Sequence, residues 1–318
     1  MASKNMNYIF NVEYFDNIFV RSKDNNIFCE GVKEKLEAKN KTIFNYEFTN
    51  HGTLDDLQGV EGSKSFKLFT SYPGMLIGTG YPHEIAAEGA LKCGFLFDYV
   101  TGLPYVPGSS LKGMLRAYFP GANKEYGEYI KTILSNDALS EKDIEELETN
   151  MFDDGDVFLG AYPEINGKQS LLDMEYITPH KEKFKNPIPI SLLKIKPGVC
   201  FKFGFIFKDY RICDNVIITA EDKLKLCKQI LLDMGIGAKT NVGFGVLLEK
   251  KQVMHELIKE EKNANKTINK NFNKTSNKNK DVPKCRECKR NECSFNSFRN
   301  MYYPFCTGCH KKINKIVK

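Results

Sequence analysis

The chain has 318 residues and 42% of them are hydrophobic, which is enough for one large domain with insertions or for two small ones. It has no run of 18 apolar residues and no charged-then-apolar leader in MASKNMNYIF, so we expect a soluble, cytoplasmic protein. In that compartment its ten cysteines are expected to stay reduced or to bind metal.

The net charge of +6 is distributed unevenly. Residues 251–318 hold 17 of the 46 basic residues and 6 of the 40 acidic ones, a balance of +11, so the first 250 residues carry −5. This distribution excludes a body that is basic over its whole surface. If the body binds a polyanion, it must do so through a local patch.

Composition divides the chain into three segments. Residues 1–260 form the body, residues 261–284 form an Asn/Lys-rich stretch, and residues 285–318 form a small cysteine module. The middle stretch has few sizeable apolar side chains, so it cannot bury enough surface to offset the entropy of ordering. We therefore predict that it is a flexible, disordered linker.

Hydrophobic periodicity predicts a mixed body. In chain order the patterns predict strands at 8–15, 65–71, 94–102 and 198–209, and helices at 110–118, 130–134, 140–149 and 221–234. The clearest strand is GVCFKFGFIFKD, in which Val199 and four phenylalanines alternate with other residues. Ser140 and Asp143 indicate a capping box for the third helix. Because strands and helices mix without regular βαβ alternation, an α+β fold with an antiparallel sheet is predicted.

The segment PYVPGSSLKGMLRAYF combines a turn, a helix start and two cations. Pro107 and Gly108 make the turn, and Ser109 or Ser110 can cap the helix that follows. Lys112 and Arg116 are four residues apart and so share one helical face. A helix N-terminus with two cations can bind a phosphodiester. The alternative is an ordinary capped surface helix.

A second glycine-rich segment, MGIGAKTNVGFGVLLEK, raises the question of a phosphate-binding loop. A nucleotide-hydrolase loop follows a strand and precedes a helix, whereas here a helix precedes the glycines and a strand follows them. Lys239 also lacks the glycine that should directly precede it, because Ala238 is there. These features exclude nucleotide hydrolysis and leave a flexible turn carrying Lys239. The alternative is a plain turn with a solvated lysine.

Three motifs in this order resemble the RAMP superfamily of CRISPR-associated proteins, and within it subunits of the Cmr module of type III-B effector complexes. They are GLPYVPGSSLKGMLRAYF, LDMEYITPH with PIPISLLKIKPGVCFKFGF, and GIGAKTNVGFG, and the resemblance spans about residues 68–248. It implies a ferredoxin-like (RRM-like) core with insertions and a glycine-rich loop against CRISPR RNA. On that resemblance the RNA-facing loop would comprise Gly235, Gly237, Lys239, Thr240, Asn241, Gly243 and Gly245.

The resemblance also implies partners and a function. These are CRISPR guide RNA and other RAMP subunits, with no membrane or small-molecule substrate, in an antiviral ribonucleoprotein. The chain would lie near the 3′ portion of the guide. Glycines admit a sugar-phosphate backbone closely and Lys239 supplies charge, so we expect binding by shape and charge, with sequence read by base pairing.

Catalysis is the main alternative, because some RAMP relatives cleave RNA. A metal-independent ribonuclease needs a general acid and base, and His83 and His180 are the two candidates, although structural or solvated roles are favoured for both. Asp153, Asp154 and Asp156 could form a cleavage loop or a metal site, but a solvated turn is favoured. The resemblance assigns the target-cutting aspartate to a different subunit. We therefore expect no catalytic residue here.

The cysteine module has the spacing of a four-thiolate zinc site. Cys285 and Cys288 form one CxxC pair, and after 17 residues Cys306 and Cys309 form another. Cys293 and His310 lie nearby, so a site with His310 as a ligand stays open. The module is too small for an independent core, and bound zinc would stabilise its fold. The module could contact RNA or dock to protein, and both roles stay open. For the whole chain, a zinc-ribbon adaptor whose body only packs against protein neighbours is a third possible function beside the RNA-binding subunit and the ribonuclease.

The first prediction concerns this metal. Purified protein should carry about one zinc per chain. Cys306→Ser should release it and unfold the module while the body stays folded, because the metal supplies the folding energy of so small a unit. Metal analysis and circular dichroism test this. Full zinc occupancy in both Cys285→Ser and Cys306→Ser would contradict the four-thiolate assignment.

Overall fold

The computed structural model describes most of the body and two short strands beyond it. The described residues are 5–21, 26–49, 54, 59–83, 85–177, 190–213 and 216–249, together with 295–296 and 301–302. The predicted linker 261–284 lies outside them, as do the four predicted zinc ligands.

Six α-helices occur in the described residues. They are α1 (Met6–Asn11), α2 (Val32–Phe44), α3 (Gly108–Arg116), α4 (Tyr126–Leu134), α5 (Glu141–Phe152) and α6 (Ala220–Met234). Short 3₁₀ turns follow at Glu13–Phe15 and Thr240–Val242. All four predicted helices are present; two of their eight ends are as predicted, and the others differ by one to four residues. Within these ranges, no helix is both long and apolar enough to cross a lipid bilayer.

The strands are short outside one central sheet. In chain order they are β1 (Phe19–Arg21), β2 (Asn26–Phe28), β3 (Phe48–Thr49), β4 (Ser63–Thr70), β5 (Val157–Pro163), β6 (Lys168–Gln169), β7 (Leu172–Ile177), β8 (Ile190–Ile195), β9 (Cys200–Ile206), β10 (Tyr210–Cys213), β11 (Val216–Ile218), β12 (Leu247–Leu248), β13 (Phe295–Asn296) and β14 (Met301–Tyr302).

Four of these strands form an antiparallel sheet in the order β12–β4–β9–β5. The chain enters through β4, passes through α3, α4 and α5, and returns as β5 at one edge. After the β7–β8 hairpin, β9 pairs between β4 and β5. Helix α6 then leads to β12 at the other edge of the sheet. The mixed α+β class and the antiparallel sheet are thereby confirmed.

The central strand β9 places its phenylalanines in the core, as its alternation predicts. Phe201, Phe203 and Phe205 are fully buried, whereas Lys202 between them is partly exposed. The same cluster contains Leu111 of α3 and leucine and isoleucine side chains of α6. Burying such a side chain stabilises a fold by about 1.5–3 kcal/mol. The packing of the β9 phenylalanines on the helices, which we call the seam, therefore holds the helices to one face of the sheet.

Helix ends are fixed by side chains close in sequence. Ser140 and Asp143 form a capping box at the start of α5, as predicted. Thr219 and Asp222 form a second one at the start of α6. α6 ends at Gly235, whose φ of 74° favours glycine. The helix before the glycine-rich segment is therefore bounded by local chemistry at both ends.

The strand predicted at 8–15 is wrong. These residues form most of α1 and the 3₁₀ turn after it. Asn5 caps α1 by accepting a hydrogen bond from the Asn7 amide, and Met6 and Phe10, four residues apart, are both buried. Burial therefore follows the helical period of this segment rather than a period of two.

The strand predicted at 94–102 is also wrong. Phe97 makes only an isolated bridge to Pro104. The Asp98 side chain then accepts hydrogen bonds from the amides of Val100 and Thr101, which turns the chain. The prediction missed α2, in which charged residues surround a narrow buried stripe that includes Leu36 and Ile43.

A buried ion pair ties α6 to the start of β5. The ammonium of Lys223 lies 2.6 Å from an Asp156 carboxylate oxygen, and the two side chains are 1% and 2% exposed. Lys223 also donates to Asn150 at 2.8 Å, and Asp156 accepts from the amide of Lys208. The predicted solvated turn at 153–156 is therefore wrong for Asp156, because this carboxylate is needed to compensate a buried cation.

The second prediction tests this pair. Asp156→Ala and Lys223→Met should each destabilise the fold by about 3–5 kcal/mol, because each leaves a buried charge without its partner. Urea denaturation of the full chain measures the loss.

Glu221→Ala is a matched control in the same helical turn. It removes the exposed partner of Lys64, and we expect a loss below about 1 kcal/mol. Similar small losses in all three variants would show that the buried pair does not support the fold.

Candidate nucleic-acid interface

The glycine loop, residues 235–246, lies on the segment 71–78 that follows β4. Its Gly245 amide donates to the Gly74 carbonyl at 2.9 Å, and its Ala238 amide donates to the Leu76 carbonyl at 2.8 Å. Phe244 is fully buried in a small cluster with Leu76 and Leu192. The loop is therefore fixed to the segment 71–78 by backbone hydrogen bonds and to the protein interior by the side chain of Phe244.

Three of its glycines are explained by this anchoring. A Cβ atom on Gly245 would lie 1.8 Å from the Ile236 carbonyl oxygen, and one on Gly237 would lie 2.4 Å from that of Leu76. A Cβ on Gly235 would lie 2.6 Å from the Gly245 oxygen. Gly235 and Gly245 are also buried, so they cannot face a ligand as the sequence predicted, whereas Gly237 is exposed. Their close backbone approach is to the protein itself.

The exposed crest of the loop consists of Lys239, Thr240, Asn241 and Gly243. Lys239 and Asn241 are exposed, and Thr240 and Gly243 are partly exposed. The Lys239 carbonyl accepts hydrogen bonds from the amides of Val242 and Phe244. The backbone of Lys239 therefore shapes the crest while its side chain extends from it.

Lys239 has an unusual backbone conformation. Its φ of 61° lies in the left-handed region, which costs a non-glycine residue about 1–2 kcal/mol. Among the described residues, its ammonium has no hydrogen-bond or ion-pair partner. Backbone strain of this kind concentrates at functional sites. The strain therefore marks Lys239 as a candidate ligand-binding residue.

The N-terminus of α3 differs from the prediction. The helix begins at Gly108 with Pro107 at the cap position, so neither Ser109 nor Ser110 caps it. The start is earlier because the backbone packs tightly on β5: a Cβ on Gly108 would lie 1.9 Å from the Phe158 carbonyl oxygen. Both serines are exposed in the first helical turn.

The two predicted cations of α3 have different surroundings. Arg116 donates to both oxygens of Asp153, at 2.7 and 2.9 Å, and its Nε lies 3.4 Å from Glu148. The hydrogen bond to Asp153, more than any other contact, raises the pKa of Arg116. Its charge is therefore already compensated. Lys112 is partly exposed and, in the described part of the chain, has no such partner.

The two predicted elements lie at different places along the sheet. The start of α3 packs against Phe158 and Gly160 of β5. Gly160 and Ser65 of β4 both pair with Gly204 of β9, so they lie at the same level along the sheet. The glycine loop packs beyond the other end of β4. Six residues of extended strand span about 20 Å, so the elements form two patches rather than one site.

His83 has a structural role. It is buried, its Nδ1 lies 3.0 Å from the Leu91 carbonyl oxygen, and its Nε2 lies 3.0 Å from that of Phe10. Its ring also stacks on Phe10 with centroids 4.0 Å apart. Both nitrogens are engaged by backbone. His180, the other candidate acid or base, lies outside the described residues.

The acidic cluster is divided between two ion pairs and solvent. Asp153 pairs with Arg116, Asp156 pairs with Lys223, and Asp154 is exposed. Within the described ranges, no three His, Cys, Asp or Glu side chains come together as a metal site. Cys29, Cys93, Cys200 and the buried Cys227 form no disulfide among the described residues.

Sequence reasoning missed the outward face of the central sheet. Lys67, Lys202 and Tyr162 lie at facing positions of β4, β9 and β5. The alternation of the predicted strand at 198–209 already assigns Lys202 to the face opposite the phenylalanines. The cross-strand neighbours were not visible, because the strands are distant in sequence.

Comparison with known proteins gives a consistent result. The family model of the RAMP superfamily matches residues 67–248. The CMR subunit Cmr6 of the CRISPR system of Saccharolobus solfataricus is 27% identical over 238 residues, which are 71% of this chain and 65% of that protein. The match thus spans less than two thirds of the relative.

Two solved structures have a similar chain. One is a cryo-EM structure of the type III-B Cmr-beta complex bound to cognate target RNA, with a TM-score of 0.45 and 21% identity over 76% of this chain and 84% of that one. The other is the crystal structure of Cmr6 from Pyrococcus furiosus, with a TM-score of 0.38 and 22% identity over 60% of this chain and 99% of that one.

The third prediction concerns the glycine loop. Gly245→Ala should destabilise the fold by about 2–3 kcal/mol, because the new Cβ would overlap a carbonyl oxygen at a positive φ. Gly113→Ala is the control: nothing lies within 4 Å of that position, and in a helix alanine should stabilise by up to about 1 kcal/mol. Urea denaturation measures both, and an unchanged Gly245→Ala would contradict the packing role.

Proposed function

The chain belongs to the RAMP superfamily, and on that premise we propose that it is a non-catalytic guide-RNA-binding subunit of a type III-B CRISPR ribonucleoprotein effector in antiviral defence. The matched region is more than half of the chain. The similarity to a curated Cmr6 subunit supports the type III-B assignment. The proposed partners are CRISPR guide RNA and other RAMP subunits of the effector, in the cytoplasm.

The fold supports an RNA-binding core of the ferredoxin-like, RRM-like type. The four sheet strands are, in chain order, β4 (first), β5 (second), β9 (third) and β12 (fourth). Across the sheet their order is fourth, first, third, second. Helices connect the first strand to the second and the third to the fourth. This order matches the βαββαβ arrangement of that fold, with the β7–β8 hairpin as an insertion, and it supports the proposed core.

The observation that carries the function is the crest of the glycine loop. Lys239 is held on a strained backbone, exposed and without a partner among the described residues. Such a cation suits a phosphate, and Thr240 and Asn241 beside it can donate hydrogen bonds to the same chain. Contacts of this kind read charge and shape rather than bases. Lys112, with Ser109 and Ser110, forms a second, separate phosphate contact.

The proposal narrows the set predicted from sequence. Gly235, Gly237 and Gly245 serve the packing of the loop, and Arg116 serves its ion pair with Asp153. The engaged ring of His83 supports a binder rather than a nuclease.

We also assign a structural zinc to the C-terminal module, held by Cys285, Cys288, Cys306 and Cys309. Their thiolates suit zinc, and β13 and β14 pair antiparallel between the two CxxC pairs. A reversal of the chain between the two CxxC pairs supports a single shared zinc site. Cys293 and His310 are the nearest alternative ligands.

The fourth prediction separates RNA binding from folding at one residue. Lys239→Gly should weaken binding of single-stranded RNA equally for all sequences and lower the salt slope by about 0.7, the loss of one phosphate contact. It should leave stability unchanged or raise it by up to about 1 kcal/mol, because glycine relieves the left-handed strain. Lys112→Ala should lower the salt slope similarly.

Lys142→Ala, an exposed lysine on the acidic helix α5, is the matched charge control and should bind normally. The same samples, kept for hours without metal and with magnesium or manganese and run on denaturing gels, should contain intact RNA. A loss confined to particular sequences would indicate base recognition. Multiple-turnover cleavage by the wild-type chain would overturn the non-catalytic assignment.

A further inference from the structure

A row of four side chains crosses the outward face of the central sheet. Lys67 of β4 lies opposite Lys202 of β9, and Lys202 lies opposite Tyr162 of β5. Val106 bridges to Ala161 with two backbone hydrogen bonds, which brings Tyr105 beside Tyr162. Neighbouring strands lie about 4.8 Å apart, so the row is about 15 Å long. We call it the sheet row.

The row lies on the face opposite the helices. Each of its members stands between neighbours that are more buried, such as Phe201 and Phe203 around Lys202, while the row itself is at least partly exposed. Lys202 also lines a cavity of about 290 Å³ on this face, beside Ser65 and Gly204. Leu54, Gly59 and Val60 line the other side of this cavity, so the face beside the row is concave and partly covered there by the segment before β4.

The tyrosine end of the row is an ordered aromatic surface. The rings of Tyr105 and Tyr162 stack with centroids 5.5 Å apart and planes 19° apart. Partial burial, more than the nearby Asp98, raises the pKa of both phenols above the ordinary value of tyrosine. Tyr81 and Tyr99 lie close enough to add to the shift at Tyr105.

The lysine end carries charge that can be shared with a ligand. Lys67 forms an ion pair with Glu164 at 2.5 Å, and the two side chains are 52% and 32% exposed. An exposed pair of this kind contributes less than about 1 kcal/mol, so a phosphate can compete with the carboxylate. Lys67 and Lys202 stand on one side of the stacked tyrosine rings. In a single nucleic-acid strand the cations could contact phosphates while the rings stack on bases.

We propose that the sheet row binds an unpaired stretch of about two or three nucleotides of RNA, with bases stacked on Tyr105 and Tyr162 and phosphates beside Lys67 and Lys202. This inference rests on the proposed function but concerns a surface separate from the glycine loop and α3. A protein partner fits less well, because lysines are depleted in the cores of protein interfaces.

The fifth prediction tests the row with the full chain and a ten-nucleotide single-stranded RNA containing 2-aminopurine. Tyr162→Leu and Tyr105→Leu should each weaken binding about 5- to 100-fold and remove the stacking-dependent quenching of the probe. Tyr162→Phe should behave as wild type, because the ring is kept. Lys202→Gln should lower the salt slope by about 0.7 without removing the quenching.

Two controls make the result specific. Tyr210→Leu removes a tyrosine that bonds Glu146 of α5, on the helix side of the sheet, and should leave binding unchanged. Annealing the probe to its complement should abolish the difference between wild type and Tyr162→Leu, because paired bases cannot stack on the rings. Urea denaturation of each variant checks that the fold is kept.

The outcomes distinguish this inference from the function on which it rests. If Lys239→Gly weakens RNA binding but folded Tyr105→Leu and Tyr162→Leu do not, the sheet row is not an RNA site and the proposed function stands. If the wild-type chain binds no RNA, both fail. If the leucine variants lose a co-purifying effector subunit and keep RNA affinity, the row docks protein and the inference is overturned.

Discussion

The packing of the β9 phenylalanines against the helices is the interaction on which the rest of the structure depends. β9 lies between β4 and β5, so its side chains contact both neighbours and the helices behind them. Phe66 of β4 stacks on Phe203, and Phe158 of β5 lies edge-on to Phe205. This seam fixes the strand registers, and the registers decide which side chains reach the opposite face.

Both candidate RNA surfaces follow from that constraint. The sheet row exists because a strand that buries every second residue must present the others outward. The glycine loop exists because β4 continues into the segment 71–78, on which the loop rests through backbone contacts that admit no side chain at Gly245. In both places the backbone, rather than long flexible side chains, sets the geometry. A ligand would therefore lose little free energy to ordering the protein.

The sequence predicts those parts of the fold whose causes are local. The strand β9, the helix α6 and the capping box at Ser140 follow from period and from residues three apart, and all are present. At the site, the same reasoning predicts Lys239 on a glycine-rich turn. It fails where a distant residue decides. The partner of Arg116 lies 37 residues away, so local sequence indicates a phosphate-binding cation where the fold makes an ion pair.

The glycines illustrate the same limit. Sequence indicates that the backbone of the loop must approach something closely, and it cannot say what. The fold supplies the protein's own carbonyl oxygens at Gly235, Gly237 and Gly245, and it leaves the crest at Lys239 exposed. The glycine-rich motif is one unit in sequence, but in the fold some of its residues anchor the loop to the protein and others form the exposed crest.

Charge follows a similar logic. The first 250 residues carry a net −5, and several of their cations are paired with carboxylates, such as Lys64 with Glu221. A body of this kind cannot attract a polyanion by its overall field. It can hold one where a cation stands apart from carboxylates on a rigid backbone, as Lys239 does, or where an exposed ion pair is weak enough for a phosphate to compete, as at Lys67. In the proposed function, contacts that are few, fixed and directed at phosphates would hold every sequence alike, and the choice of target would be left to base pairing.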